Sequence, residues 1–184
     1  MSCTVTKRNP YAEVDYSPNL QTKLERLHAA SYGWALSCCG FDHDQAGDVL
    51  QSVYLKILEG KARFDGKASF RTWIFSVIHV TALEWRRKSF LRMLGLSRFE
   101  RQPEAERFDP IQAVEIDDQQ DAVQKALAKL PHRQSQVLHL VFYQDLTLEE
   151  AGAILGISIG SARTHYERGK KKLRSLLEIS RNDQ

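Results

Sequence analysis

The stretch Thr147-Leu148-Glu149-Glu150-Ala151-Gly152-Ala153-Ile154-Leu155-Gly156-Ile157-Ser158 decides how the C-terminal third of this chain folds. Thr147 followed three residues later by Glu150 is a capping-box pattern, in which hydroxyl and carboxylate satisfy each other's backbone amides and start a helix. Gly156 stops that helix, as glycine does just past a helix end. Ser158 caps the next one, which the apolar spacing carries to about residue 179. A short helix, a tight turn and a longer basic helix make a helix-turn-helix. Gly152, Gly156 and Ala162 place small residues where the two helices cross, with Ile154, Leu155, Ile157, Tyr166 and Leu173 available for the core. An ordinary helical hairpin with a solvated charged face is the plainer alternative, but turn, cap and basic helix agree on the first reading.

In a helix-turn-helix the opening residues of the second helix meet base edges in the major groove. Here those are Ser161, Arg163, Thr164, Glu167 and Arg168. Arginine pairs with guanine O6 and N7, glutamate accepts from cytosine N4, and threonine is permissive. Lys170, Lys171, Lys172 and Arg174 lie further along. They suit phosphates, which give affinity and salt sensitivity, although any one of them can equally be plain solvated surface.

Upstream the pattern is helical throughout. Leu24, Leu27, Tyr32 and Leu36 fit one face of a helix from Leu20 to near Gly40, and Val49, Leu50, Val53, Tyr54, Ile57 and Leu58 form a stripe from about Asp44 to Leu58. Phe64 to Ser69 reads as a loop, closed by Ser69 as N-cap of a long helix to about Leu94. Trp73, Ile74, Val77, Ile78, Thr81 and Trp85 fit its buried face. Phe64, Phe70, Trp73, Phe75 and Trp85 gather around this loop and helix, which ends in Arg86-Arg87-Lys88. Aromatic and basic groups together can grip unstacked single-stranded bases. For Trp73 and Trp85 a core role is favoured; for Phe64 the two readings are close.

Periodicity collapses between Gly95 and Asp117, where Pro103 and Pro110 sit among Glu104, Glu106, Asp109, Glu115 and Asp117. This is the composition of a flexible linker. Helices resume at about Asp118, and Pro131 occupies the first turn of the second, where a missing N–H does no harm. The expected organisation is all-α: an arm over residues 1–19, a helical domain over 20–94, a linker over 95–117, a domain over 118–179 ending in the helix-turn-helix, and a tail over 180–184. Two basic surfaces joined by an acidic connector suggest two nucleic-acid contacts.

Composition narrows the function. With 184 residues, 42% apolar and a net charge of +3, the chain can pack two small cores. No uncharged run is long enough to span a bilayer and no secretory signal is apparent, so membrane insertion is not expected and a cytoplasmic location is. Three cysteines make no disulfide framework, and Cys38, Cys39 and His43 lack a paired Cys-x-x-Cys to complete a metal site. His28, His43, His79, His132, His139 and His165 are scattered without a nucleophile partner or metal-ligand spacing. No phosphate-binding glycine loop occurs. Neither a catalytic residue, a metal nor a cofactor is expected.

Asp44 to Gln51 (DQAGDVLQ), Arg63 to Trp73 (RFDGKASFRTW) and Ala126 to Leu173 closely resemble extracytoplasmic-function (ECF) sigma factors of the sigma-70 family, in order and spacing. The resemblance implies a transcription initiation factor with promoter DNA and core RNA polymerase as partners. Its first domain would pack on the clamp of the largest polymerase subunit through Asp48, Gln51 and Tyr54, with the flap as a further polymerase contact. It would open the −10 element with Phe64, Asp65, Lys67, Ser69, His79, Val80, Arg86 and Arg87. The second domain would read the −35 element through Ser161, Arg163, Thr164, Glu167, Arg168, Lys170 and Lys171. An anti-sigma factor is the implied regulator. Gly47-Asp48 replaces the usual acidic pair and Ser52 a usual acid, which implies a weaker or rearranged clamp contact. Val80 stands where many relatives carry asparagine; valine cannot hydrogen-bond a base edge, which implies a different −10 preference. A conventional helix-turn-helix regulator is the rival reading. It would need a sensor or dimerisation domain in front, and the N-terminal half shows neither pattern.

Overall fold

The computed structural model describes residues 18–95, 123 and 126–182; the expected arm, nearly all of the linker and the opening of the second domain lie outside them. Helices α1 (Pro18–Cys38), α2 (His43–Leu58) and α3 (Phe70–Met93) pack on one another, and α4 (His132–Phe142), α5 (Leu148–Leu155) and α6 (Ile159–Asn182) form a second group. No strand occurs among the described residues, so the architecture is all-α.

Local chemistry sets the boundaries. The Asp42 carboxylate accepts the Gln45 amide at 2.9 Å, so α2 begins at His43, a residue earlier than periodicity suggests. The Ser69 hydroxyl accepts the Thr72 amide at 3.1 Å and fixes the start of α3. The capping box is present in full: Thr147 Oγ1 accepts the Glu150 amide at 3.2 Å, and the Glu150 carboxylate accepts the Thr147 amide at 2.9 Å. Gly156 adopts φ +64°, the left-handed turn that ends α5. It is not a close-contact residue, because a Cβ there would meet nothing. Gly152 carries that role: a Cβ would lie 3.0 Å from the Ile157 carbonyl oxygen and 3.8 Å from the Ala162 Cβ.

The first group buries Val49, Leu50, Val53 and Ile57 from α2 against Trp34 and Ala35 of α1 and Ile74, Phe75 and Ile78 of α3. Trp73, Val77 and Trp85 are half-buried against this core, so the two tryptophans are packing residues, and Phe75 lies wholly inside. Cys38 is buried and Cys39 partly so; burial pushes both thiols up, Cys39 to about 12, which leaves them protonated and poorly nucleophilic.

The two groups do not stand apart. One apolar cluster runs from Trp34, Phe75 and Ile78 through Val137, Leu140 and Leu146 to Ala151, Ile154 and Leu155. Helix α1 packs on α4 and α3 on α5. Helix α4 is buried at every position from Ser135 to Leu140, as a helix enclosed by α1, α5 and α6 must be. Polar contacts cross the same seam. Arg71 donates to Gln144 Oε1 at 2.8 Å, Arg133 lies 3.4 Å from His79, and the Gln136 amide lies 3.7 Å from Cys38 Sγ.

Gly152→Ala should lower stability by about 1–3 kcal/mol, because the new methyl meets a backbone carbonyl that cannot swing away. Gly47→Ala, in the open interior of α2, should be neutral or stabilising by up to about 1 kcal/mol. Thermal unfolding of the two variants beside the parent chain checks both outcomes.

Candidate nucleic-acid interface

The exposed opening of α6 follows from its cap. The Ser158 hydroxyl accepts the Ser161 amide at 3.2 Å, which sets the helix rotation. Ala162 then points inward at 0% exposure, while Ser161, Arg163, Thr164, Glu167 and Arg168 face solvent. All five residues singled out for base contact therefore share one accessible surface. Lys170, Lys171, Lys172 and Arg174 continue it, exposed as well. Lys170 lies 3.8 Å from the Glu167 carboxylate and 5.2 Å from the Tyr166 ring centroid. Gly169 is the inward counterpart, its Cα so close to α4 that a Cβ would sit 3.0 Å from Leu138 Cδ1. The helix thus has one face given to packing and one that is polar beyond the exposed Ile159.

The loop before α3 presents a second polar and aromatic surface. Phe64 is 40% exposed, with its ring edge-on to Phe70 at 5.4 Å and tilted to Trp73 at the same separation. Its ring is thus half packing and half available. Gly66 at φ +75° turns the chain, and Asp65 Oδ1 accepts the Lys67 amide at 3.2 Å. That amide, with the Lys67 ammonium 3.1 Å from the other oxygen, holds the Asp65 carboxyl below its usual range. Ser69 is exposed, but its hydroxyl is committed to the cap and to Thr72 Oγ1 at 2.8 Å.

Along α3, Val80 is 52% exposed, and Arg86 and Arg87 face solvent. His79 differs. It is 3% exposed, covered by Trp34, Gln136 and Arg133. The structure therefore brings Phe64, Asp65, Lys67 and Ser69 together on one loop and Val80 and Arg87 onto the open flank of α3, but places His79 in the seam, with Arg86 exposed on the His79 side of the helix. On α2, Asp48 is exposed and Gln51 half-buried. Tyr54 is tied back to α1, its hydroxyl 2.9 Å from His28 Nδ1 and pushed up to about 12 by burial.

The chain matches the model of sigma-70 region 2 over residues 24–90 and that of sigma-70 region 4 over residues 126–175. It is 32% identical over 127 residues to the ECF RNA polymerase sigma factor SigF of Caulobacter vibrioides, covering 68% of this chain and 67% of that protein. The chain belongs to the ECF sigma factors.

Other relatives agree. The RNA polymerase sigma factor YlaC of Bacillus subtilis is 28% identical, with 77% of this chain and 82% of that one aligned. SigX of the same organism is 29% identical across 77% of this chain and 75% of its own. Among solved structures, the sigma factor RpoE of Bartonella quintana, in complex with the anti-sigma factor NepR, superposes with a TM-score of 0.69 at 24% identity, over 89% of this chain and 99% of that one. CnrH, in complex with the cytosolic domain of CnrY, gives 0.59 at 19% identity, over 90% and 92%. These two likenesses concern the fold. An ECF sigma factor is a transcription initiation factor, which disfavours the conventional regulator. Among the described residues no helix is long and apolar enough to cross a membrane.

The residues that sequence reasoning missed are those of the seam: Trp34, Arg71, Arg133, Gln136, His139 and Gln144. Only the unbroken burial of α4 could have signalled them, and its alternation of Gln136 and His139 with Val137, Leu138 and Leu140 gives no single apolar stripe to read.

Proposed function

We propose that this ECF sigma factor binds core RNA polymerase and directs it to promoters bearing a −10 and a −35 element, using a domain over residues 20–94 and another over 118–179 on a connector over 95–117. Asp48, Gln51 and Tyr54 contact the largest-subunit clamp, and the second domain meets the flap. Phe64, Asp65, Lys67, Ser69, Val80, Arg86 and Arg87 open and hold the −10 element, joined by His79 once the seam parts. Ser161, Arg163, Thr164, Glu167 and Arg168 read the −35 element while Lys170 and Lys171 take phosphates. The protein acts in the cytoplasm, catalyses no reaction of its own and is held in check by an anti-sigma factor.

The observation that carries this reading is the sidedness of α6. After Ile159 the outer face is polar, exposed and of types that pair with base edges or phosphates, while Ala162 and Gly169 bring the other face tight against α4 and α5. A helix positioned so rigidly can select bases by geometry.

Transcription from a promoter library with core polymerase and this protein tests it. Start sites should appear that share two motifs and vanish when the protein is omitted. Arg163→Ala should weaken preference at one −35 position by about 1–3 kcal/mol, and Val80→Asn should alter the preferred −10 bases with the −35 motif unchanged. Failure to direct any initiation, or sequence-specific binding to duplex DNA without polymerase, would overturn the assignment.

A further inference from the structure

The seam between the two helical groups contains an arrangement of donors that a bilobed scaffold does not require. Arg71 on α3 donates through Nη2 to Gln144 Oε1 at 2.8 Å. Since guanidinium can only donate, this bond fixes which end of the Gln144 amide is oxygen. The other end, an NH2 group, then faces His139 Nε2 at 3.3 Å, so that ring nitrogen must carry the lone pair. Arg133 on α4 likewise presents Nη1 to His79 Nε2 at 3.4 Å, and again the imidazole nitrogen can only accept. Both chains cross from one domain to the other, and both end on an imidazole that has to be neutral. His132 adds a third ring at the same edge, its Nε2 buried without a hydrogen-bond partner.

We propose that His79, His132 and His139 form an acid-released latch, which holds the two domains together while the imidazoles are neutral and lets them part when they are protonated. A proton on His79 Nε2 would point at the Arg133 guanidinium, and one on His139 Nε2 at the Gln144 amide, turning each acceptor into a second donor. The surroundings offer no relief. His79 meets Trp34 from α1, Arg86 from its own helix, and Gln136, Arg133 and His132 from α4. His139 meets Trp34 from α1, with Gln144 and Tyr143 beyond its own helix end. His132 is buried within the field of the Arg86 and Arg133 guanidinium groups. The charged groups acting on the three rings are cations. The amide Gln136 Oε1 lacks a partner as placed; turning that amide over would give it the His79 Nδ1 proton and leave the argument about Nε2 unchanged.

Burial, with the neighbouring cations at His79 and His132, lowers all three imidazoles from 6.5 to about 4. The lowered value belongs to the closed form. Closure is therefore fully favoured above the ordinary histidine range and is lost as pH falls through 6.5 toward 4, because the parted form takes up the protons. Going from pH 7.5 to 5.5, each released histidine should raise the ratio of parted to closed molecules about tenfold, so His79, His132 and His139 together give about a thousandfold.

Single-molecule energy transfer on the full chain measures this ratio, with dyes on azide-bearing residues placed at the exposed positions Lys61 and Ser175, one in each domain. The expected result is a ratio of low- to high-transfer molecules that grows about a thousandfold over that pH range, with helical circular dichroism unchanged. In the triple variant His79→Gln, His132→Gln, His139→Gln, which keeps acceptors but cannot titrate, the growth should shrink to within a fewfold. Should that variant not fold, His139→Gln alone should remove about tenfold. A pH-independent ratio, an undiminished response in the variants, or parting that coincides with loss of helix would each overturn the latch.

Discussion

The indole of Trp34 is the point on which both halves of this molecule bear. It is fully buried, donates through Nε1 to the Phe75 carbonyl at 3.0 Å, and lies against the rings of Phe75, His79 and His139. A tryptophan buries the largest area of any side chain, and its one polar atom must find a partner when it does so. Here the partner comes from α3, while the cover comes partly from α4. The first domain therefore completes its own core only when the second is docked on it.

This shared core divides the candidate contacts into two sets. The recognition face of α6, the loop from Phe64 to Ser69, the flank of α3 with Val80 and Arg87, and Arg86 on the His79 side all remain open with the domains together. His79 does not, and α5, the first helix of the helix-turn-helix, spends a face on α3. Apolar burial along the seam favours closure by roughly 25 cal/mol for each Å² removed from water. The polar chains through Arg71 and Arg133 add direction more than strength, since a neutral hydrogen bond contributes only about 1 kcal/mol net. Directional bonds of this kind are lost abruptly when an acceptor becomes a donor.

The parts of the fold that sequence reveals are those governed by near neighbours. Ser69, Thr147 with Glu150, and Gly156 act within a turn of the backbone, and each does what its residue type dictates. The exposed face of α6 was legible for the same reason, because the Ser158 cap sets the helix rotation. Family resemblance carried the remainder of the site. The seam was illegible because its partners are far apart along the chain: Arg71 and Gln144 are separated by 73 positions, Gln136 and Cys38 by 98. A histidine or glutamine in a helix looks like surface until the helix is seen enclosed, and α4 is enclosed by elements that no local pattern ties to it. Gly152 and Gly156 make the same point on a smaller scale, since both are glycines of one short segment and only the packing shows which one is held by contact.

Cys38 reports on the docking of the two domains most directly, being 2% exposed on α1 with the Gln136 amide of α4 at 3.7 Å from its sulfur. Site-resolved maleimide labelling, read by mass spectrometry at pH 7.5, should find Cys38 protected in the free protein and much faster to react once core polymerase is bound. Rapid labelling of the free protein, or equal rates with and without polymerase, would contradict a closed molecule that opens to work.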